Sequence, residues 1–331
     1  MKIAVIGDGG WGTALACNLI ANGHEVIMWG AFPDYLDEMK QKRENVKFLP
    51  GVKLPDTLQF TFSPAEAVDK VSIMLLVTPT QFLRSVLKQF ALLPGISEKI
   101  FVNAAKGIEK GSWNRISQIV REELGPVPYV AISGPSHAEE VSRQVPTLVT
   151  AASADMACAE VVQKVFMNEN FRVYTSSDVT GVELGGALKN VFAVAAGIID
   201  GMKLGDNPKA ALMTRAICEM GKLGESLGGE KSTFAGLSGV GDLIVTCCSG
   251  HSRNRYVGEE LGKGRKLPEI LKSMGMTVAE GVTTAQGALA LARQVGAETP
   301  IIDGINAILE GKCTPREVIK ELMTRAPKKE R

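Results

Sequence analysis

A lysine set among glycines and alanines is the residue of this chain best suited to move a proton. Read as a helix, Gly181-Val182-Glu183-Leu184-Gly185-Gly186-Ala187-Leu188-Lys189-Asn190 continues through Ala193 and Ala196. Gly185 and Gly186 then fall one turn before Lys189, and the alanines after it, all on one face. Nothing bulky screens that face, so an ammonium there is partly desolvated and its pKa falls, as general acid–base chemistry requires. The competing reading is close helix packing, with Lys189 reaching out to water. Lys106 follows the run Asn103-Ala104-Ala105, which puts its ammonium at the carboxyl edge of a sheet, where ligands bind in open α/β folds. An ordinary solvated lysine fits that position equally well. Ser133-Gly134-Pro135-Ser136 is a turn at the same edge, whose amides either face an oxyanion or simply reverse the chain. In Ser249-Gly250-His251-Ser252-Arg253-Asn254-Arg255, a guanidinium, a hydroxyl and an amide suit a phosphate monoester, although charged loops are commonly only solvated. Asp242, after Gly239-Val240-Gly241, needs a cationic partner in its apolar setting, and a catalytic lysine would be one.

The other chemical signal lies at the N-terminus, where Ile3-Ala4-Val5-Ile6 runs into Gly7-Asp8-Gly9-Gly10-Trp11-Gly12. Gly7 permits a sharp turn, Gly9 lets amides approach a pyrophosphate and Gly12 lets a helix pack on the strand. The helix N-terminus then offers free N–H groups to the anion. With 35 glycines in the chain the pattern alone is weak, but here it sits between an apolar strand and a helix. The acid that holds the adenosine ribose about 20 residues further on is missing. The second strand ends Trp29-Gly30-Ala31-Phe32, with no Arg or Lys for a 2′-phosphate. Phe32 either lies on the adenine or covers the sheet edge. The expected cofactor is NAD(P), with NAD ahead of NADP unless Lys40, Lys42 or Arg43 reaches in from the following helix.

These groups need a scaffold, and the chain's periodicity describes one. Glu25–Trp29, Val71–Val77, Lys99–Asn103 and Tyr129–Ser133 read as buried strands of a parallel sheet, with helices at Thr80–Phe90 and Ser112–Leu124 between them. Strands at Thr147–Ala151 and Phe171–Thr175, flanking a helix at Asp155–Val165, extend the sheet. The fold class is α/β: a doubly wound Rossmann-type domain over residues 1–178, followed by an all-α domain over 179–331 that carries the substrate and catalytic groups. Thr314-Pro315-Arg316-Glu317 announces the last helix with a capping box, and Lys328-Lys329-Glu330-Arg331 reads as a solvated end. With 37 basic and 36 acidic residues, nothing draws the chain to nucleic acid or to a membrane surface. No uninterrupted apolar run reaches spanning length, and the first residues enter a strand without a secretory segment, which points to the cytoplasm. Six cysteines show neither disulfide nor zinc spacing, so no metal is expected and most of them read as small core residues.

The ordered blocks Gly7-x-Gly9-x-Trp11-Gly12-Thr13-Ala14-Leu15-Ala16, Phe48-Leu49-Pro50-Gly51, Ala105-Lys106-Gly107-Ile108-Glu109, Ser133-Gly134-Pro135-Ser136, Ala187-Leu188-Lys189-Asn190, Gly239-x-Gly241-Asp242-Leu243, Ser252-Arg253-Asn254 and Glu280-Gly281-Val282 resemble the NAD(P)-dependent glycerol-3-phosphate dehydrogenase family. The resemblance implies interconversion of dihydroxyacetone phosphate and sn-glycerol 3-phosphate, feeding glycerophospholipid synthesis, by a homodimer whose partner is a small phosphorylated substrate. It implies Lys189 as the proton donor or acceptor, with Lys106, Gly134, Ser136, Asp242, Ser252, Arg253 and Asn254 also lining the substrate. Gly7, Gly9, Gly10, Trp11, Gly12, Ala31, Phe32, Lys106, Ala138, Arg253, Val278 and Glu280 are the implied cofactor contacts. The chain departs from many bacterial members at Gly10, where Ser is common, at Ala31-Phe32, where a basic residue is common, and at His137, where Phe is common. The stretches Met28–Phe32 and Glu44–Gly51 look more like the eukaryotic cytosolic, NAD-using branch. Two other readings are a hydroxy-acid dehydrogenase of the same architecture, with a carboxylate clamp in place of the phosphate clamp, and a non-catalytic NAD sensor, which would have no use for Lys189 on its small-residue face.

Overall fold

A computed structural model describes residues 1–275, 278–327 and 329–330; of the basic tail, Lys328 and Arg331 lie outside the described residues. The N-terminal half runs β1 (Lys2–Ile6), α1 (Gly10–Ala21), β2 (Glu25–Trp29), α2 (Pro33–Lys42), β3 (Glu44–Asn45), β4 (Leu49–Lys53), β5 (Gln59–Thr61), α3 (Pro64–Val68), β6 (Ile73–Leu76), α4 (Thr80–Phe90), β7 (Ile100–Asn103), α5 (Ile116–Leu124), β8 (Tyr129–Ser133), α6 (Ala138–Val141), β9 (Thr147–Ala152), α7 (Met156–Phe166) and β10 (Phe171–Ser176). Eight of these strands form one sheet in the order β10-β9-β8-β7-β6-β1-β2-β5. The strands alternate between two cores, as a sheet covered on both faces requires. Ile3, Val5, Val26, Met28, Ile73 and Leu75 face one cluster, whereas Ala4, Ile6, Ile27, Trp29, Met74 and Leu76 face the other. The chain winds outward from β1 through β2 to β5, then crosses back to β6, so the crevice between β1 and β6 is the place where such folds bind ligands.

The sheet is mixed rather than wholly parallel, because β8 pairs with β9 antiparallel. The connection between them, residues 134–146, holds a single helical turn, α6, rather than the long packed helix that usually carries a parallel crossover. The helix expected from Ser112 begins instead at Ile116. Gly111 and Trp113 both take positive φ, and the Glu109 carboxylate holds this loop by accepting from Arg84 and Ser112. The cysteines also differ from expectation. Cys247 alone is buried, Cys17, Cys158 and Cys313 are half-buried, and Cys218 and Cys248 are exposed.

From residue 179 the described chain is helical: α8 (Val179–Gly201), α9 (Asp206–Ser226), α10 (Lys231–Phe234), α11 (Asp242–Cys248), α12 (Arg253–Gly262), α13 (Leu267–Ser273), α14 (Glu280–Val295), α15 (Pro300–Leu309) and α16 (Pro315–Met323). α16 opens with the expected capping box between Thr314 and Glu317. α8 is the axis of a third core, wrapped by the other helices. It is long and apolar enough to cross a membrane by composition, yet its apolar window is wholly buried within the protein. Two carboxylates fix its start. Asp178 accepts from Gly181 N at 2.7 Å and Thr233 Oγ1 at 2.6 Å, while Glu183 accepts from Tyr129 Oη at 2.6 Å and Arg115 Nη1 at 2.6 Å. Glu183 thereby ties α8 to β8 and α5, and sets the height at which Lys189 meets the sheet.

Candidate active site

Lys106 leaves the sheet just after β7, Lys189 points from the middle of α8, and Asp242 opens α11. All three converge on one point. Asp242 Oδ1 accepts from Lys189 Nζ at 2.8 Å and Oδ2 from Lys106 Nζ at 2.6 Å. The Lys189 and Asp242 residues are 7% and 1% exposed, so the lysine does not reach out to bulk water. Close helix packing nevertheless explains the small-residue face. A Cβ on Gly185 would lie 2.5 Å from Ser238 O, and one on Gly186 2.5 Å from Ser133 Oγ. Gly185 admits the backbone of the turn that delivers Asp242, and Gly186 admits the side chains of Ser133 and Lys106.

Two ammoniums around one carboxylate leave a net charge of +1 in a nearly dry site. Burial alone would raise the Asp242 carboxyl, but Lys106 and Lys189 outweigh it and hold it below the usual carboxylate range. Burial, with the like charge of Lys189, brings the Lys106 ammonium down to about 8 against the opposing pull of Asp242. Lys106 Nζ also donates to Gly134 O at 2.9 Å and Ser136 Oγ at 3.4 Å. The turn after β8 therefore presents a carbonyl and a hydroxyl to this cluster, where sequence had suggested amides. Gly134 has φ +150°, and a Cβ there would come within 2.9 Å of Leu148 O.

Sequence reasoning missed Thr246, one helical turn after Asp242. Its Oγ1 accepts from Lys189 Nζ at 2.7 Å and donates to Asp242 O at 2.6 Å, so it aims the ammonium. The i, i+4 spacing of Asp242 and Thr246 was its available signal. His137 is half-buried at the same cleft, its ring 5.7 Å from that of His251, and its Nε2 has no partner among the described residues. Burial pushes its imidazole below the usual range.

The Ser249–Arg255 loop divides into structural and free groups. Ser252 caps α12 by accepting from Arg255 N at 3.1 Å. Asn254 accepts from Gly281 N and donates to Asn190 Oδ1, both at 2.9 Å, which locks α12 to α14 and α8. Arg253, the first residue of α12, is exposed and makes no hydrogen bond or ion pair to the described residues. A free guanidinium at a helix N-terminus without an acid in its first turn is an anion-binding arrangement.

Residues 2–159 match the N-terminal profile of NAD-dependent glycerol-3-phosphate dehydrogenase, and residues 178–320 match its C-terminal profile. The chain belongs to the NAD-dependent glycerol-3-phosphate dehydrogenase family. It is 49% identical to glycerol-3-phosphate dehydrogenase [NAD(P)+] of Bacillus cereus strain B4264, over 99% of this chain and 97% of that protein. Identity to the Chlorobium phaeobacteroides strain BS1 enzyme of the same name is 46%, over 100% and 99%. The crystal structure of glycerol-3-phosphate dehydrogenase from Coxiella burnetii superposes with a TM-score of 0.93 at 37% identity, covering 98% of this chain and 99% of that one.

The dinucleotide that this family name implies fits the edge between β1, β2 and β6. A Cβ on Gly9 would meet nothing within 4 Å, which leaves space over the N-terminus of α1, whereas one on Gly12 would lie 2.7 Å from Gly7 O. Gly7 has φ +129° and turns under Thr78. A Cβ on Gly10 would lie 2.4 Å from Phe48 O, so the β3–β4 hairpin leaves no room for a side chain there. Trp11 Nε1 donates to Ala104 O at 3.1 Å, and Ala138 opens α6, which packs on α1. Phe32 is 59% exposed, and Ala31 beside it is exposed. Across the cleft, Glu280 Oε1 accepts from Thr80 N at 2.9 Å, clasping α14 to α4 near half-buried Val278. Thr80 Oγ1 and Glu280 Oε2 both flank Gly107, buried and without partners among the described residues. Unpaired buried polar atoms at a cleft are where a ligand's polar groups are favoured.

Proposed function

We propose that this chain interconverts dihydroxyacetone phosphate and sn-glycerol 3-phosphate with NAD(P)H, preferring NADH. The observation that carries the reading is the buried Lys189–Asp242–Lys106 cluster below the glycine-rich edge, with the free Arg253 guanidinium at the N-terminus of α12. When bound, the reduced nicotinamide supplies the hydride. Lys189 gives its proton to the substrate's ketone oxygen and recovers it in the reverse direction, oriented by Thr246 Oγ1 and balanced by Asp242. Lys106 and Ser136 hold the polar groups around the reacting carbon, and Gly134 lets the turn approach closely. Arg253 and the first turn of α12, built by Ser252 and Asn254, hold the phosphate, a remote handle whose binding energy positions the ketone. Gly7, Gly9, Gly10, Trp11, Gly12, Ala31, Phe32, Ala138, Val278 and Glu280 shape the dinucleotide site.

The reading includes a domain boundary between Asp178 and Val179, a homodimer and a cytoplasmic place in glycerophospholipid synthesis. Sedimentation velocity measures the second of these directly. The deciding assay follows oxidation of NADH and NADPH with dihydroxyacetone phosphate, beside 2-oxo acids as competitors for the assignment. Turnover of the phosphorylated ketone supports the reading, and turnover of the 2-oxo acids alone would replace it.

A further inference from the structure

Strand β2 ends without the acidic residue that holds the adenosine ribose in this class of fold, yet a carboxylate stands at that place. β1 and β2 pair with Ile6 opposite Trp29, and Gly7 N donates to Trp29 O at 2.9 Å. The next residue of the glycine-rich turn, Asp8, therefore lies beside Gly30. A Cβ built on Gly30 would be 2.7 Å from Asp8 Oδ2 and 3.0 Å from its Cγ, so the carboxylate lies over the end of β2 and requires glycine beneath it.

Asp8 is held in place from behind. Asn45 Nδ2 donates to the Asp8 carbonyl at 2.8 Å and to Thr13 Oγ1 at 2.7 Å, while Tyr35 Oη donates to Asn45 Oδ1. Its carboxylate, by contrast, is left open. Oδ2 is buried and has no hydrogen-bond partner among the described residues. Of the cations of this region, Lys40 is exposed in the last turn of α2, and three others are engaged elsewhere. Lys42 pairs with Glu38, Arg43 donates to Asp56 O and Leu58 O beneath the Phe60 ring, and Lys47 Nζ lies 4.1 Å over the Tyr35 ring, near enough to act on Asp8 only through its charge. Burial raises the Asp8 carboxyl above its usual range, outweighing its own backbone N–H and the charge of Lys47, which lower it.

We infer that Asp8 supplies the carboxylate missing from β2, accepting a hydroxyl of the adenosine ribose and repelling a 2′-phosphate. The inference rests on the dinucleotide-dependent dehydrogenase reading, and gives its NADH preference a residue. A ribose hydroxyl satisfies Oδ2, whereas a phosphate dianion would be desolvated against a like charge. Selectivity here is repulsive as well as attractive.

The test uses ADP-ribose and 2′-phospho-ADP-ribose, which lack the nicotinamide, titrated calorimetrically into the wild type, Asp8→Asn and Asp8→Ala, with NADH as the reference ligand. The wild type is expected to bind ADP-ribose at least about tenfold tighter than its 2′-phosphate, the scale of a hydrogen bond to a charged group. Asp8→Ala should weaken ADP-ribose about tenfold and bring the two ligands close to parity. Asp8→Asn keeps the shape and an acceptor, so it should hold ADP-ribose within a few fold and improve binding of the 2′-phosphate. An unchanged preference in both variants would overturn the role of Asp8 while leaving the NADH preference standing. A wild type that prefers the 2′-phosphate overturns both, and one that binds neither NADH nor ADP-ribose overturns the cofactor reading itself. Matching melting curves for wild type and Asp8→Asn guard against a folding defect.

Discussion

Lys189 is buried against a carboxylate and Arg253 is exposed and unpaired among the described residues, and their positions predict different losses. Lys189→Met removes the buried ammonium that Thr246 and Asp242 aim, while the dinucleotide edge, several residues away on β1 and α1, is untouched. Turnover should fall at least about a hundredfold, the lower range for general acid catalysis, with NADH affinity in a fluorescence titration close to wild type. Near-normal turnover would remove Lys189 from the proton-transfer role. Arg253→Ala acts on binding. Because the exposed guanidinium is free of intramolecular bonds among the described residues, its loss should raise KM for dihydroxyacetone phosphate by about tenfold or more and leave dihydroxyacetone nearly unaffected. Equal losses on both ketones would mean that Arg253 acts through the fold or the cofactor.

At the scale of elements, α8 and α12 cross through glycines. A Cβ on Gly258 would lie 1.9 Å from Val194 O, and one on Gly197 1.9 Å from Arg255 O. Alanine at position 258 gains roughly 1 kcal/mol of intrinsic helix propensity. That gain is smaller than the overpacking cost of about 1–3 kcal/mol or more when backbone must move, so the clash decides the sign. Gly258→Ala should lower the urea midpoint with an unchanged slope, and a more stable variant would contradict this packing. Seven of the eight strands of the N-terminal sheet were legible because apolar runs of four to six residues have few other uses, whereas β5, three residues at the sheet edge with Gln59 exposed, was not. Lys189 was legible too, for its charge contradicts its neighbours. The β3–β4 hairpin escaped notice because its strands are short and partly polar, and Asn45 ties it to Asp8 and Thr13, far away in sequence. Asp8 was not legible because a ribose acid ordinarily ends β2, whereas here Gly30 leaves the space and the turn after β1 fills it.

For the whole molecule, stability responds to pH through a carboxyl far from the cleft. Glu219 on α9 accepts Ile301 N at 3.1 Å and Ile302 N at 2.9 Å, closing the start of α15. Burial outweighs these bonds and raises its pKa from 4.5 to about 7. Between those values the folded chain keeps a proton that the unfolded chain has released. Its contribution to stability therefore falls as pH rises through that window, by about 3 kcal/mol in full, and is level above it. Glu219→Gln should lack this slope, so the variant gains on the wild type when urea midpoints are compared at pH 8 rather than pH 5. Parallel behaviour at the two pH values would show that Glu219 does not titrate there.

The burial of α8 also has a cost in time. A helix that ends as the best-protected segment of the protein is made before the segments that protect it, since α12 and α14 follow it in the chain. At ordinary rates of translation the delay before α14 is complete is on the order of 10 s. Throughout that interval 23 mostly apolar residues have left the ribosome with no permanent neighbour on their far side. The glycines that later let backbone meet backbone offer little side-chain cover in the meantime. The nascent chain is thus at its most adhesive midway through synthesis, while the helix that carries Lys189 waits for its cover.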